Sequence, residues 1–217
     1  HGGPFANIAQ GTNSILATRM GLSLSDYVVT EAGFGADLGS EKFMNIKCSY
    51  AGLKPHALVL VATIRALRHH GGAKKAAYNT PDLEKVKSGF DNLEKHIENC
   101  RKFGLTPVVA INHFETDSAE EIIFVQERCE QLGVKAILCK GWSLGGDGMK
   151  DIAEAVVENI ESGINQFKAL YNWNIPVEEK IRTIAREIYG ADDVEYSPKA
   201  RVGLELIKKL GVDGLPV

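Results

Sequence analysis

Apolar residues recur along this chain in two rhythms. Short apolar or β-branched runs at 27–30, 58–63, 107–112 and 134–139 are each of strand length, with turn residues near by. Between the second and third runs, Leu83, Val86, Phe90, Leu93 and Ile97 recur at alternating steps of three and four, which sets them on one face of a helix. Thr80 is its expected N-cap, with Pro81 at the first helical position, and Gly104 its expected left-handed stop. Between the third and fourth runs, Ser118 and Glu121 have capping-box spacing, and Gly133 stands just past the helix they open. Parallel neighbours cannot be joined by a tight hairpin, so strands alternating with crossover-length helices predict an α/β fold. Its sheet is expected to be mostly parallel, with helices on both faces. After Cys139 the pattern turns to helices alone, at 149–170, 177–189 and 198–210, the last capped by Ser197 and closed by Gly211. The expected division is a sheet region over residues 1–141 and a mainly helical lobe over 142–217.

Charge and composition narrow the function classes. Lys and Arg number 25 against 28 Asp and Glu, a net charge of −3 with no dense basic tract, which argues against a nucleic-acid partner. The longest apolar run, 57–64, stops at Arg65, well short of the roughly 20 residues a membrane span needs. Cys48, Cys100, Cys129 and Cys139 show no Cys-x-x-Cys spacing and read as reduced, buried thiols of a cytoplasmic protein. The chain opens at His1-Gly2-Gly3-Pro4 without an initiator Met and ends in Gly214-Leu215-Pro216-Val217, which resembles entry to a further strand. The expectation is an internal piece of a longer protein.

Open α/β sheets place ligands at the C-terminal ends of their strands. The run at 27–30 leads into Glu31-Ala32-Gly33-Phe34-Gly35-Ala36-Asp37-Leu38-Gly39. Glycines there let backbone N–H groups approach an anion, and Glu31 and Asp37 can hold a magnesium ion; equally, this can be a tight structural turn with solvated acids. Its Gly-x-Gly-x-x-x-Gly spacing misses the dinucleotide fingerprint by one residue, and no Gly-x-x-x-x-Gly-Lys-Ser/Thr phosphate loop occurs anywhere in the chain. Beyond the third and fourth runs stand Phe114 and Trp142. On neighbouring strands they can stack on a flat heterocycle between them; the plainer alternative makes both rim residues packed on their own helices.

The segments His1-Gly2-Gly3-Pro4-Phe5-Ala6-Asn7-Ile8-Ala9 and Val29-Thr30-Glu31-Ala32-Gly33-Phe34-Gly35-Ala36-Asp37-Leu38-Gly39-Ser40-Glu41-Lys42-Phe43 closely resemble signature segments of formate–tetrahydrofolate ligases, also called 10-formyltetrahydrofolate synthetases. The resemblance continues through Ala66-Leu67-Arg68-His69-His70-Gly71-Gly72, Val108-Val109-Ala110-Ile111-Asn112-His113-Phe114 and the Trp142 loop, and so covers nearly the whole chain. The chain departs at Gln10, Thr12 and His113, where the family commonly has His, Cys and a basic residue.

The resemblance implies a sheet like that of phosphate-loop NTPases with the phosphate loop itself missing from these residues, and an ATP-dependent ligase of one-carbon metabolism. Its substrates would be formate, ATP and tetrahydrofolate, with Mg2+ and a monovalent cation as accessories, in a cytoplasmic homo-oligomer. By the same resemblance Phe114 and Trp142 bind the folate, and Glu31, Gly33, Gly35 and Asp37 lie at the phosphate or formyl phosphate, with Glu31 and Asp37 as the candidate metal carboxylates. These residues alone are expected to be inactive. The alternative is a non-catalytic ligand-binding or assembly module of a phosphate-loop ATPase relative.

Overall fold

The computed structural model describes residues 12–217, so the signature segment 1–9 lies outside the described residues. In chain order the elements are α1 (Ile15–Leu24), a π-helical stretch (Ala36–Ser40 and Phe43–Cys48) running into α2 (Ser49–Ala51), β1 (Val59–Ala62), α3 (Ile64–His70), α4 (Leu83–Lys102), β2 (Val108–Asn112), α5 (Ala119–Gln131), β3 (Ala136–Cys139), α6 (Gly141–Leu144), α7 (Lys150–Glu161), α8 (Val177–Glu187) and α9 (Pro198–Leu210). They fall into two compact units, one of residues 55–167 and one of residues 12–54 with 168–217.

The unit of residues 55–167 holds the sheet, three parallel strands in the order β1-β2-β3. β2 lies in the middle and is buried along Val108, Val109, Ala110 and Ile111, as expected of a parallel strand covered on both faces. Val108 and Ala110 pack with Cys139 and with Ile152 and Ala155 of α7. Val109 and Ile111 point the other way by strand alternation and are fully buried. Val86, Phe90, Leu93 and Ile97 of α4 are all buried, as their spacing predicts. Helix α4 runs against α3 with its backbone almost in contact: a Cβ on Gly89 would lie 1.9 Å from the Leu67 carbonyl oxygen, so only glycine permits this approach.

Several boundaries differ from the sequence expectation. Helix α4 starts at Leu83, because the Asp82 carboxylate accepts from the Lys85 N–H (3.1 Å) and takes the N-cap role expected of Thr80. Helix α7 ends at Glu161, short of residue 170. Gly163 turns to positive φ, and the Asn165 side chain then accepts from the Thr106 N–H (2.8 Å) and donates to the His56 carbonyl (2.7 Å), which ties the following residues to the loops beside the sheet. Since α7 packs on β2 and β3, it belongs to the sheet unit, whereas α8 and α9 belong to the other; the expected boundary at 141/142 falls inside the sheet unit. The run at 27–30 forms no strand. Its Val29 is 95% exposed and no neighbouring segment among the described residues supplies a ladder, so β-branched propensity alone leaves it unpaired. The caps at Ser118, Gly104, Gly133, Ser197 and Gly211 are as expected.

Residues 12–54 and 168–217 are organised by buried polar side chains. Asn45, fully buried, donates to Glu41 (2.7 Å), accepts from the Leu170 N–H (2.9 Å), and its carbonyl accepts from the Trp173 indole (2.9 Å). Lys180, also buried, donates to the carbonyls of Asp213 and Leu215 just beyond α9. The amide of Asn45 and the ammonium of Lys180 thus each have partners, which is the condition for burying them.

Candidate functional site

The glycine-rich loop begins where Thr30 is tied down: its hydroxyl lies 2.9 Å from that of Thr12 and accepts from the Asn13 amide at 3.1 Å. Asn13 in turn accepts at 3.0 Å from the ammonium of Lys47, a residue 1% exposed whose pKa is lowered by burial. The chain then turns sharply. Phe34 has φ +63°, the only positive value at a non-glycine among the described residues, and its ring is 70% exposed. A bulky side chain adopts that conformation at a cost of order 1–3 kcal/mol. Gly35 caps the π-helical stretch without a side chain, and its carbonyl accepts from the N–H groups of Leu38 (3.0 Å) and Gly39 (2.9 Å).

The glycines of this loop serve different ends. A Cβ on Gly39 would sit 1.8 Å from the Gly33 carbonyl oxygen, so Gly33 and Gly39 are backbone against backbone. Among the described residues, a Cβ on Gly35 would meet only the Asp37 carboxylate, at 2.6 Å, and a side chain can swing away. Asp37 accepts from the Tyr189 hydroxyl at 3.2 Å, a partner 152 positions along the chain that nothing in the local sequence announces. Glu31 is exposed. No group of three or more His, Cys, Asp or Glu among the described residues is arranged to hold a metal ion. Two carboxylates would suit Mg2+ that keeps its waters and the phosphate oxygens of a nucleotide, and would not form a protein-only cage.

In the sheet unit, Phe114 and Trp142 follow β2 and β3, which are neighbours. Asn112 pairs with Cys139 at the last register position, and the His113 N–H continues the pairing to the Cys139 carbonyl at 3.0 Å. Both rings therefore leave the same edge of the sheet. Phe114 is 40% exposed and Trp142 98% exposed. Trp142 rides on the single turn α6, within a loop closed by the Lys140 N–H to the Gly148 carbonyl (3.0 Å). A rim tryptophan packed on its own helix would be covered, and this one is not. A surface cavity of about 330 Å³ opens at the opposite, N-terminal ends of β2 and β3, lined by Thr106, Pro107, Val134, Lys135 and Asn159 among others. Parallel sheets carry their chemistry at the other edge, where the two aromatics stand.

The turn bearing Phe114 is held by groups that local sequence reading missed. Asp117 accepts from the Phe114 N–H at 2.9 Å and donates its own N–H to the Phe114 carbonyl at 3.0 Å. Beneath it lies Arg68, fully buried, whose Nε and Nη2 donate to the two oxygens of Glu121 (2.8 and 2.6 Å). Arg68 also donates to the carbonyls of Tyr78 (2.8 Å) and Thr116 (2.9 Å), and its Nη2 is 3.8 Å from Asp117 Oδ1. Glu121 completes the capping box with Ser118 and accepts from the Asp82 N–H at 2.9 Å. Burial pushes the Glu121 carboxyl up, but the Arg68 guanidinium and the N–H donors of Asp82 and Ser118 outweigh it and hold it down at about 2. The capping-box spacing was the one legible trace of this network; the Arg68 partner is 53 positions away.

The family model described as Formate--tetrahydrofolate ligase matches residues 1–217. The chain belongs to that family. A formate–tetrahydrofolate ligase takes formate and a folate as substrates in one-carbon metabolism, and the sheet edge with two exposed rings is chemically suited to a flat heterocycle. No helix among the described residues is long and apolar enough to cross a membrane. The two groups of candidate residues lie in separate units of this ligase chain: Glu31, Gly33, Gly35 and Asp37 in the one, Phe114 and Trp142 in the other.

Proposed function

We propose that this chain supplies the pterin platform and part of the phosphate site of an ATP-dependent formate–tetrahydrofolate ligase. A formate oxygen attacks the γ-phosphorus of ATP, the bond to the β-phosphate oxygen breaks, and formyl phosphate and ADP form. N10 of tetrahydrofolate then attacks the formyl carbon, phosphate leaves with the electron pair of the C–O bond, and the N10 proton is lost. The product is 10-formyltetrahydrofolate. The observation that carries this reading is the pairing of Asn112 with Cys139, which starts the Phe114 and Trp142 loops side by side in a chain of this family. A pterin stacked between two rings has its position and tilt restricted, which lowers the orientational cost of presenting N10 to an electrophile.

Glu31, Gly33, Gly35 and Asp37 are assigned to the phosphoryl end. Backbone N–H groups of the glycine turn would stabilise charge developing on phosphoryl oxygens. Glu31 and Asp37 would hold Mg2+, which when bound neutralises charge on the phosphates. The 217 residues contain no Walker-type lysine, so on this reading they do not carry out formyl transfer by themselves. The protein is assigned to the cytoplasm as a homo-oligomer, with a monovalent cation as a further accessory, in keeping with its family.

The missing Walker-type loop favours the other reading, a non-catalytic ligand-binding or assembly module. Calorimetric titration of the complete protein with tetrahydrofolate, followed by an assay of ATP-dependent formyl transfer, decides between them. Folate binding that depends on Phe114 and Trp142, together with transfer, is expected. Binding or assembly without transfer would favour the module.

A further inference from the structure

The Phe114–Ser118 turn is fixed by more bonds than closing β2 onto α5 requires. The capping box needs only Ser118 and Glu121, yet Arg68 reaches the Thr116 carbonyl and the Asp117 carboxylate reaches back to the Phe114 amide. The Phe114 ring itself is 40% exposed, so the backbone from which it projects, not a packed core, decides where it stands. The side chains of Arg68 and Asp117 are both fully shielded from water, and among the described residues Asp117 Oδ1 has no hydrogen-bond donor, while the Arg68 guanidinium lies 3.8 Å away. Burying a carboxylate and a guanidinium under an exposed turn carries a desolvation cost that only good geometry and additional hydrogen bonds repay.

We propose that Arg68 is a positioning residue for folate binding, fixing the Phe114 ring through the Thr116 carbonyl and the Asp117 carboxylate. The proposal rests on the reading that Phe114 stacks on the pterin. Arginine suits the task because its planar fork serves acceptors in several directions at once: here Tyr78, Thr116 and both oxygens of Glu121. The Glu121 contact anchors the guanidinium to α5, and the Thr116 and Asp117 contacts carry that anchorage to the ring. A merely structural brace would support the unit as a whole and would be indifferent to whether a ring is present at residue 114.

That indifference is what the test measures. In the complete protein, Asp117→Ala removes the carboxylate's bond to the Phe114 N–H while leaving the Arg68–Glu121 pair in place. Hydrogen exchange at the Phe114 amide should accelerate, the tetrahydrofolate Kd should rise about fivefold, as for loss of one hydrogen bond, and ATP affinity should hold. In a Phe114→Ala background the same change should leave the tetrahydrofolate Kd where it was, because its effect runs through the missing ring. Two results overturn the proposal and spare the pterin reading: an unchanged Kd in Asp117→Ala while Phe114→Ala binds weakly, or an equal loss in both backgrounds. If Phe114→Ala alone leaves the Kd unchanged, the pterin reading falls and this proposal with it. Should Asp117→Ala not fold, Arg68→Lys run through the same cycle gives the same decision, since an ammonium cannot serve all four acceptors together.

Discussion

Asn112 and Cys139 stand opposite each other at the last paired position of β2 and β3, with the His113 N–H reaching on to the Cys139 carbonyl. Because the strands are parallel, the loops that follow leave from one edge; antiparallel strands would have put Phe114 and Trp142 at opposite ends of the sheet. Each ring stacked on a pterin contributes on the order of 1 kcal/mol beyond area burial, so Phe114→Ala or Trp142→Ala should weaken tetrahydrofolate binding roughly five- to tenfold. Trp142 is 98% exposed and has nothing to lose on folding. Its replacement should therefore leave unfolding free energy within about 0.5 kcal/mol of the parent, while the folate titration shifts. A folate affinity unmoved by either change would remove the stacking assignment.

The glycine loop makes a prediction that separates two neighbours in the same motif. Gly39→Ala drives a Cβ into the Gly33 carbonyl at 1.8 Å, backbone that cannot step aside, and should lower the melting temperature by several degrees. Gly35→Ala, among the described residues, displaces only the Asp37 carboxylate, so it should fold normally and act on turnover. Steady-state kinetics and a melting curve on each variant check this. Equal loss of stability in both would return the loop to a purely structural turn.

What the sequence makes legible follows from the range of the interactions involved. The helical stripe from Leu83 to Ile97, the Ser118–Glu121 box and the stops at Gly104, Gly133 and Gly211 are local, set within a few positions, and the structure reproduces them. The run at 27–30 has strand composition, but a strand is a pairing and composition does not supply the partner. Asp82 displaces Thr80 as the cap because its own N–H is claimed by Glu121, 39 positions away. The same range hides Arg68 under the Phe114 turn and Tyr189 beside Asp37. Phe114 and Trp142 are legible because each follows a recognisable strand; that they share an edge depends on β2 and β3 being neighbours.

The four cysteines are all buried, none more than 3% exposed. Burial pushes the thiols of Cys48, Cys100 and Cys129 up to about 12 and raises that of Cys139 as well. Both access and thiolate are thereby denied to an electrophile at neutral pH. Iodoacetamide at pH 8 should leave these four positions unmodified in the native protein and label all of them in denaturant, read by peptide mass spectrometry. Rapid native labelling of Cys48 would show that the packing around Met44 and Cys48 opens readily.

Acid should weaken the sheet unit through Glu121. Its carboxyl is held at about 2 in the folded protein against an ordinary 4.5. A depressed carboxylate contributes stability that is complete above the unfolded value and lost as pH falls through the folded one, so the window runs from about 4.5 down to about 2. The gap corresponds to at most about 3 kcal/mol at 1.36 kcal/mol per pH unit. Arg68 does not oppose this, because the same pairing raises its pKa further. Asp117 does: burial raises its carboxyl, so protonation on acidification favours the folded state and offsets part of the loss. Urea unfolding between pH 7 and 3 should show stability falling in the parent and a flatter profile in Glu121→Gln. That variant begins lower at pH 7, because the Arg68 guanidinium is left buried opposite a neutral amide, a change that costs on the order of 3 kcal/mol. A parent profile with the same slope as Glu121→Gln would mean that the pair contributes nothing to the acid limb.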